Sequence, residues 1–430
     1  FEGMKALQLV ALVATVVLAG ADEFDQVRNV LAQGVLNEVT PGLAALVANE
    51  KGILFMEAFG NFTYGKESAV ADRPMTTDST FDMASLTKVL ASTTAVMQFY
   101  ERGQIGLDWK VMDEQLLGRK FGENGKEDIA VENLLLHNAG YPPDPVPSYS
   151  SSEFGCPATH AEHPPLVPSC HSQIFSSLLN QTLINPIGEV YLYSDLSFIT
   201  IMFLVGKLAE QHGYVSEGDL VPGCPALMSG DDGPVPDYTC YYEAYVRKYV
   251  VEAAGMATSG FLPPREHWAW IAPTWFDDSY RHVHLQGQVS DENAYANGGI
   301  SGHAGLFSNV RDVHELLYSL NFEPHRIGIS EKTVDLFVTP KNLTQSSRAL
   351  GWDTNTAPNE YKGCSSLSSD TFTHTGYTGT EVCNDRKRGL FTVLLTNRCY
   401  PDKTGQMDTV HTLRQDFNAA VANLFPLPSQ

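Results

Sequence analysis

Two paired runs of β-type sequence stand at opposite ends of this 430-residue chain. Near the N-terminus, the apolar runs Leu43 to Ala48 and Ile53 to Phe59 flank Asn49-Glu-Lys-Gly52, the pattern of a β-hairpin. Near the C-terminus, Thr380–Asn384 and Leu390–Asn397 flank Asp385-Arg-Lys-Arg-Gly389 in the same way. Between them lie helices and loops. Residues 84–102 and Leu196 to Gln211 predict two apolar helices, and Asn309 predicts an N-cap for a helix to about residue 320. Amphipathic helices are expected at 23–38 and about 408–424. Strands at both ends and helices between predict an α+β sheet domain built from both termini, with a helical domain inserted. We place the sheet domain at 22–82 and 300–430. The mainly helical part is 83–299, and it carries loops at 142–172 and 221–240, rich in Pro with Ser and His or with Gly.

Composition sets the outer limits. With 43% hydrophobic and 18% charged residues the chain has the make-up of a folded protein. A net charge of −22 argues against nucleic acid or an anionic membrane surface as partner, since both need basic surfaces.

The first residues predict an address. Met4-Lys5, the apolar stretch Ala6 to Ala19 and the small residues Ala19-Gly20-Ala21 form a secretory signal over 1–21; the stretch is short for a membrane span. Phe1-Glu2-Gly3 stand before that start. A secreted product fits three sequons, at Asn61, Asn180 and Asn342. Seven cysteines in an oxidising compartment predict disulfides with one thiol over. Cys156 with Cys170, and Cys224 with Cys240, bracket the two loops. Each pairing would close about 15 residues, worth roughly 3 kcal/mol in the chain-entropy model. Two of Cys364, Cys383 and Cys399 can pair, and which two is open.

For chemistry, the absences come first. No His-Glu-x-x-His, Gly-x-Ser-x-Gly elbow or Gly-rich phosphate loop occurs. His160, His163, His282 and His284 have no Cys, Asp or Glu at ligand spacing, so no metal is expected. What is present is Ser85-Leu-Thr-Lys88 at the start of a predicted helix, with Ser and Lys one turn apart on one face. Such a lysine, partly desolvated, can lose its proton near neutral pH.

Ser85-x-x-Lys88 is followed by Tyr193-Ser-Asp195 and then by His374-Thr-Gly376. This ordered set resembles the serine β-lactamase and penicillin-binding protein superfamily, in the class C-like branch of β-lactamases, D-Ala carboxypeptidases and related esterases. Leu134-Leu-Leu-His-Asn-Ala-Gly140, Asp291-Glu-Asn-Ala-Tyr295, Gly298 to Phe307, Leu350-Gly-Trp352 and His374-Thr-Gly-Tyr-Thr-Gly379 extend the likeness over roughly 23–425. The resemblance implies an antiparallel sheet flanked by helices, an all-α domain, and a site between them. It implies Ser85 as acylated nucleophile and Lys88 and Tyr193 sharing the proton work. The backbone N–H groups of Ser85 and Tyr377 would form the oxyanion hole. Asp195, His374, Thr375 and Gly376 would line the cleft. No cofactor is implied.

Two departures bear on substrate. The family's β-lactamases write Lys-Thr-Gly and Tyr-x-Asn; here His374 and Asp195 stand instead. A permanent cation gives way to a group titrating near pH ~6.5. Ionised Asp195 would raise that value and burial would lower it. In acid His374 would then attract a substrate carboxylate. At neutral pH the two departures favour esters or neutral amides. The expectation is a secreted serine hydrolase acting through an acyl-enzyme on a small ester, amide or peptide. The alternatives are a D-Ala carboxypeptidase or β-lactamase, or a catalytically silent binding or scaffolding member. No membrane partner is expected after signal cleavage, and oligomeric state is open.

Overall fold

The computed structural model describes residues 23–66, 70–158, 170–230, 233–356, 363–404 and 407–427. The signal segment, His160 and His163 lie outside them. The N-terminal hairpin consists of Gly42–Asn49 (β1) and Gly52–Gly60 (β2), with Asn49 opposite Gly52. The Asn49 side chain accepts the Lys51 N–H at 2.8 Å, and Gly52 closes the turn at φ 114°, where a side chain is disfavoured. The C-terminal part supplies Asp353–Thr354 (β3), Thr371–Thr375 (β4), Glu381–Asp385 (β5) and Leu390–Thr396 (β6). β1 pairs antiparallel with β6, Leu43 opposite Thr396, and so joins the chain ends in one sheet. The sheet order is β2-β1-β6-β5-β4-β3, antiparallel throughout.

Five helices frame the site: Asp25–Leu36 (α1), Thr94–Glu101 (α2), Asp195–Gln211 (α3), Val310–Phe322 (α4) and Met407–Leu424 (α5). One sheet face buries Leu43, Ala45, Val47 and Leu394 against Val27 and Leu31 of α1 and Leu413 and Phe417 of α5. The other buries Ala44, Leu46, Ala48, Val393 and Leu395 against the central helical region. Both faces are covered, which is why β1 is a continuous apolar run without alternation. α3 is apolar on nearly every side because it runs through the core. The Asn309 side chain accepts the Asp312 N–H at 2.9 Å and caps α4 as expected.

Three disulfides are present: Cys156–Cys170, Cys224–Cys240 and Cys364–Cys383, leaving Cys399 as a buried thiol. One expectation is corrected. The segment 221–240 is not only loop, for Leu227–Gly230 and Gly233–Pro236 form an antiparallel ribbon. Pro234 and Pro236 obscure it in the sequence, since proline cannot donate to a ladder, but an isolated two-stranded ribbon leaves one edge that needs no donor. Among the described residues no helix is long and apolar enough to cross a membrane.

Candidate active site

The turn that carries Ser85 is pinned from below. Phe81–Asp82 pairs with Phe307–Ser308. The buried Asp82 carboxylate accepts the Ala84 N–H at 2.8 Å and the Ser290 N–H at 2.6 Å. Burial pushes the Asp82 carboxyl up, and these two N–H bonds work against that shift. Ala84 is held at φ 46°, the left-handed region that a residue with a side chain seldom adopts. Here the structure differs from the expected continuous α-helix over 84–102. Ala84–Leu86 is a 3-10 turn, Lys88–Thr93 is π-helical, and only Thr94–Glu101 is α-helical. The Thr93 and Thr94 hydroxyls donate to the Lys88 and Val89 carbonyls at 2.8 and 2.9 Å and occupy acceptors that a regular helix would use. π-turns of this kind recur at functional sites.

Lys88 is wholly buried. Its ammonium donates to Ser85 Oγ at 2.9 Å and to the His303 carbonyl at 3.1 Å, and is ion-paired with Asp195 Oδ1 at 2.7 Å. Burial alone would push its pKa down; the Asp195 carboxylate and then Tyr193 outweigh burial and hold it above 10.5. This corrects the expectation of a lysine that sheds its proton near neutrality. The cause is the carboxylate at 195, on the first residue of α3, where an Asn would be neutral.

Tyr193 stands among cations and imidazoles. Lys88 Nζ lies 4.9 Å and the Arg348 guanidinium 5.2 Å from its ring centre. The His137 ring stacks on it at 4.4 Å, and the His374 ring is 6.3 Å away. His137 Nδ1 accepts the Ser194 N–H at 3.1 Å, which fixes the chain just after Tyr193. Burial, then Arg348 and Lys88, push the pKa values of both His137 and His374 well below 6.5. This shift opposes the charge that His374 was expected to gain in acid. Its Nδ1 is 2.9 Å from the Thr375 carbonyl.

β4 delivers the last part of the site. A Cβ on Gly376 would stand 2.1 Å from Thr380 Oγ1 and 2.6 Å from the Met83 carbonyl. Only glycine lets the strand end close on the Ser85 turn and bring the Tyr377 backbone beside it. The Thr378 and Thr380 hydroxyls tie the two together, donating to the Asp82 and Met83 carbonyls at 2.8 and 3.1 Å. The Thr375 and Tyr377 side chains are exposed, and the Tyr377 hydroxyl donates to the Lys403 carbonyl.

Sequence reasoning missed a second polar layer. His303 Nε2 lies 2.9 Å from Asp291 Oδ1, and its Nδ1 lies 2.7 Å from Ser301 Oγ. Although burial opposes it, the Asp291 charge raises the pKa of His303, and His303 in turn depresses that of Asp291. Both residues sit in segments that the sequence marks only as a glycine-rich turn. Arg348 was missed as well; nothing local distinguishes it from a surface arginine. Asp195, Asp291 and His303 lie within ligand distance of one another, as do His171, Asp237 and Cys240, and Cys364, Glu381 and Cys383. Each set already contains an ion pair or a disulfide. His282 is exposed and His284 packs on Phe276. Asn61, Asn180 and Asn342 are all exposed.

The profile of the beta-lactamase family matches residues 27–416. The chain belongs to the beta-lactamase family. A relative in this family, the N-acetylmuramyl-L-alanine amidase of Bacillus subtilis strain 168, is 28% identical over 379 residues, covering 83% of this chain and 77% of that one. A putative D-alanyl-D-alanine carboxypeptidase of Escherichia coli K12 is 26% identical over 394 residues, covering 83% and 78%. A penicillin-binding protein homologue of Caulobacter crescentus superposes with a TM-score of 0.64 at 15% identity, over 94% of this chain and 98% of that one. The fold is thus the penicillin-recognising fold of the beta-lactamase family, as the ordered motifs implied.

Proposed function

We propose that the chain is a secreted serine hydrolase that cleaves an ester or amide bond through an acyl-enzyme on Ser85. The observation that carries this reading is the 2.9 Å bond from Lys88 Nζ to Ser85 Oγ, made by an ammonium that also donates to the His303 carbonyl and is ion-paired with Asp195. An ammonium has no lone pair, so in this state Lys88 holds the nucleophile and is not the base. Tyr193 is the remaining proton acceptor. In the mechanism it takes the Ser85 proton as Oγ attacks the carbonyl carbon, with Lys88 and Arg348 beside its ring. The backbone N–H groups of Ser85 and Tyr377 would receive the oxyanion. The Tyr193 proton then passes to the leaving oxygen or nitrogen as its bond to carbon breaks. Water repeats the cycle on the acyl-enzyme and frees Ser85.

The names of the amidase and the carboxypeptidase describe amide cleavage, and supply the amide half of the proposed substrate range. Secretion is supported by the three disulfides, which persist in oxidising compartments. The sheet part at 22–82 and 300–430 and the helical part at 83–299 would act as one catalytic unit.

Intact-mass spectrometry after incubation with a fluorophosphonate, and separately with a penicillin, tests the reading. A fluorophosphonate adduct on Ser85 is expected. Its absence, together with ester turnover unchanged in Ser85→Ala, would sink the mechanism. The penicillin arm separates a general hydrolase from one that keeps a lactam pocket.

A further inference from the structure

Beside Tyr193 lies a cavity of about 250 Å³, lined by Arg348, Asp353, His374, Thr375 and Arg414 among others. Two of its lining residues carry buried polar atoms without a hydrogen-bond partner, Arg348 Nη1 and His374 Nε2. Their roles are fixed by what the rest of each side chain does. A carbonyl only accepts, so His374 Nδ1, 2.9 Å from the Thr375 carbonyl, carries the ring hydrogen, and Nε2 is left with a lone pair. Arg348 Nη1 can only donate. Its charge is already answered by Asp353, 3.7 Å from Nη2. Between them Arg348 and His374 therefore offer one donor and one acceptor, with no surplus charge from this pair.

We infer that this cavity is the subsite for an uncharged amide group of the substrate, whose carbonyl oxygen takes the Arg348 N–H and whose N–H is given to His374 Nε2. The inference rests on the hydrolase reading and names a substrate class for it. A carboxylate brings two acceptors and would set one of them against the Nε2 lone pair. It fits only if His374 takes up a proton. Around the imidazole, Arg348 and Lys88 oppose that proton and Asp353 favours it. Arg414 and His411 of α5 line the same cavity, and the Tyr193 ring faces it.

The test uses three aryl esters of one acyl group, whose leaving phenol carries a meta carboxamide, a meta carboxylate or no substituent. At pH 8 the wild-type kcat/KM for the carboxamide should exceed that for the carboxylate by about tenfold or more, the scale of an unpaired buried polar group. The gap should narrow towards pH 5.5, as carboxylate binding draws a proton onto His374. His374→Lys, which replaces the acceptor by a charged donor, should reverse the preference. Arg348→Met should lower kcat/KM for the carboxamide ester more than for the unsubstituted one. A carboxylate that is favoured or equal at pH 8, or a ratio that His374→Lys leaves unmoved, overturns the subsite. The unsubstituted ester judges the hydrolase reading alone, through its loss of turnover in Ser85→Ala. Direct binding of the three esters to Ser85→Ala gives the same order of preference without turnover, so the subsite can fail or stand by itself.

Discussion

Asp195→Asn is the sharpest perturbation of the proposed mechanism. The carboxylate sits 2.7 Å from Lys88 Nζ, and the lysine side chain has no exposed surface. Two unit charges at that distance attract by about 6 kcal/mol at an effective dielectric of about 20. Asn keeps the shape and can still accept a hydrogen bond, but it removes the charge. Breaking a buried pair usually costs about 3–5 kcal/mol, and because the Asp195 side chain is 18% exposed the lower end applies. A denaturant titration at pH 7 should show that loss.

The activity profile is more diagnostic. In the wild type the Asp195 carboxylate and Tyr193 hold the Lys88 pKa up against burial, which favours the ammonium across the assay range. Without Asp195, burial is opposed mainly by Tyr193 and drives the pKa down. The amine then loses its proton at a lower pH. If the ammonium is the working form, kcat/KM of the variant for a neutral ester should fall as pH rises from 6 to 10, while the wild type shows no such alkaline limb. At pH 7 a drop on the order of 10² is expected for a mispositioned nucleophile. A variant whose rate climbs with pH would mean that neutral Lys88 is the base. Superimposable profiles would mean that Asp195 does not set the lysine's charge. Either result refutes the assignment of Tyr193 as sole proton acceptor or the argument for it.

Three further outcomes are expected. Tyr193→Phe should lower the acylation rate on the order of 10²–10⁴, measured as fluorophosphonate labelling by mass, without shifting the thermal midpoint much. Gly376→Ala should cost about 1–3 kcal/mol and most of the activity, because the new methyl cannot avoid the Met83 carbonyl; denaturant midpoint and ester turnover check both. Burial pushes the Cys399 thiol up to about 12, so iodoacetamide should leave it unmodified at pH 8 until the chain is unfolded, and unreduced peptide maps should recover the other six cysteines as the three pairs.

The sheet was legible wherever its strands are long and apolar. β1, β2, β5 and β6 show as runs bounded by turn residues, and their positions at the two chain ends predicted the joined sheet. β3 and β4 were not legible. β3 is two residues long, and β4 reads Thr-Phe-Thr-His-Thr, a pattern that owes its strand state to β5 on one side. The π-turn after Ser85 was hidden for a related reason. Val89, Leu90 and Ala91 have the periodicity of any apolar helix, and the threonine hydroxyls that shift the ladder are ordinary in sequence. Ser85, Lys88, Tyr193 and His374 were found by order and spacing. Asp82, His137 and Arg348 were not, because each acts through a partner more than 50 residues away, and sequence distance carries no trace of that contact; His303 was missed although its partner Asp291 is only 12 residues away.

The two departures at 195 and 374 look alike in sequence, since each replaces one polar residue by another and each changes charge. Buried, they act on different groups. Asp195 spends its charge on Lys88 and leaves little for a substrate, so its effect falls on proton transfer. In the free cleft His374 is held back from the charge that would make it a weaker lysine, because burial, Arg348 and Lys88 all act in the same direction. It remains a neutral acceptor whose donor side is tied to Thr375. A cleft that would hold a carboxylate with a free cation has instead an ammonium neutralised by one carboxylate and a guanidinium neutralised by another. Both cations stay in place and both are matched from within. At Lys88 or Arg348 an anionic substrate would therefore have to compete with Asp195 or Asp353, whereas a neutral ester or amide meets no such competition there. The proposed preference for uncharged substrates would follow from this internal pairing, and placing Lys at 374 without touching Asp195 should recover only part of an anion's binding.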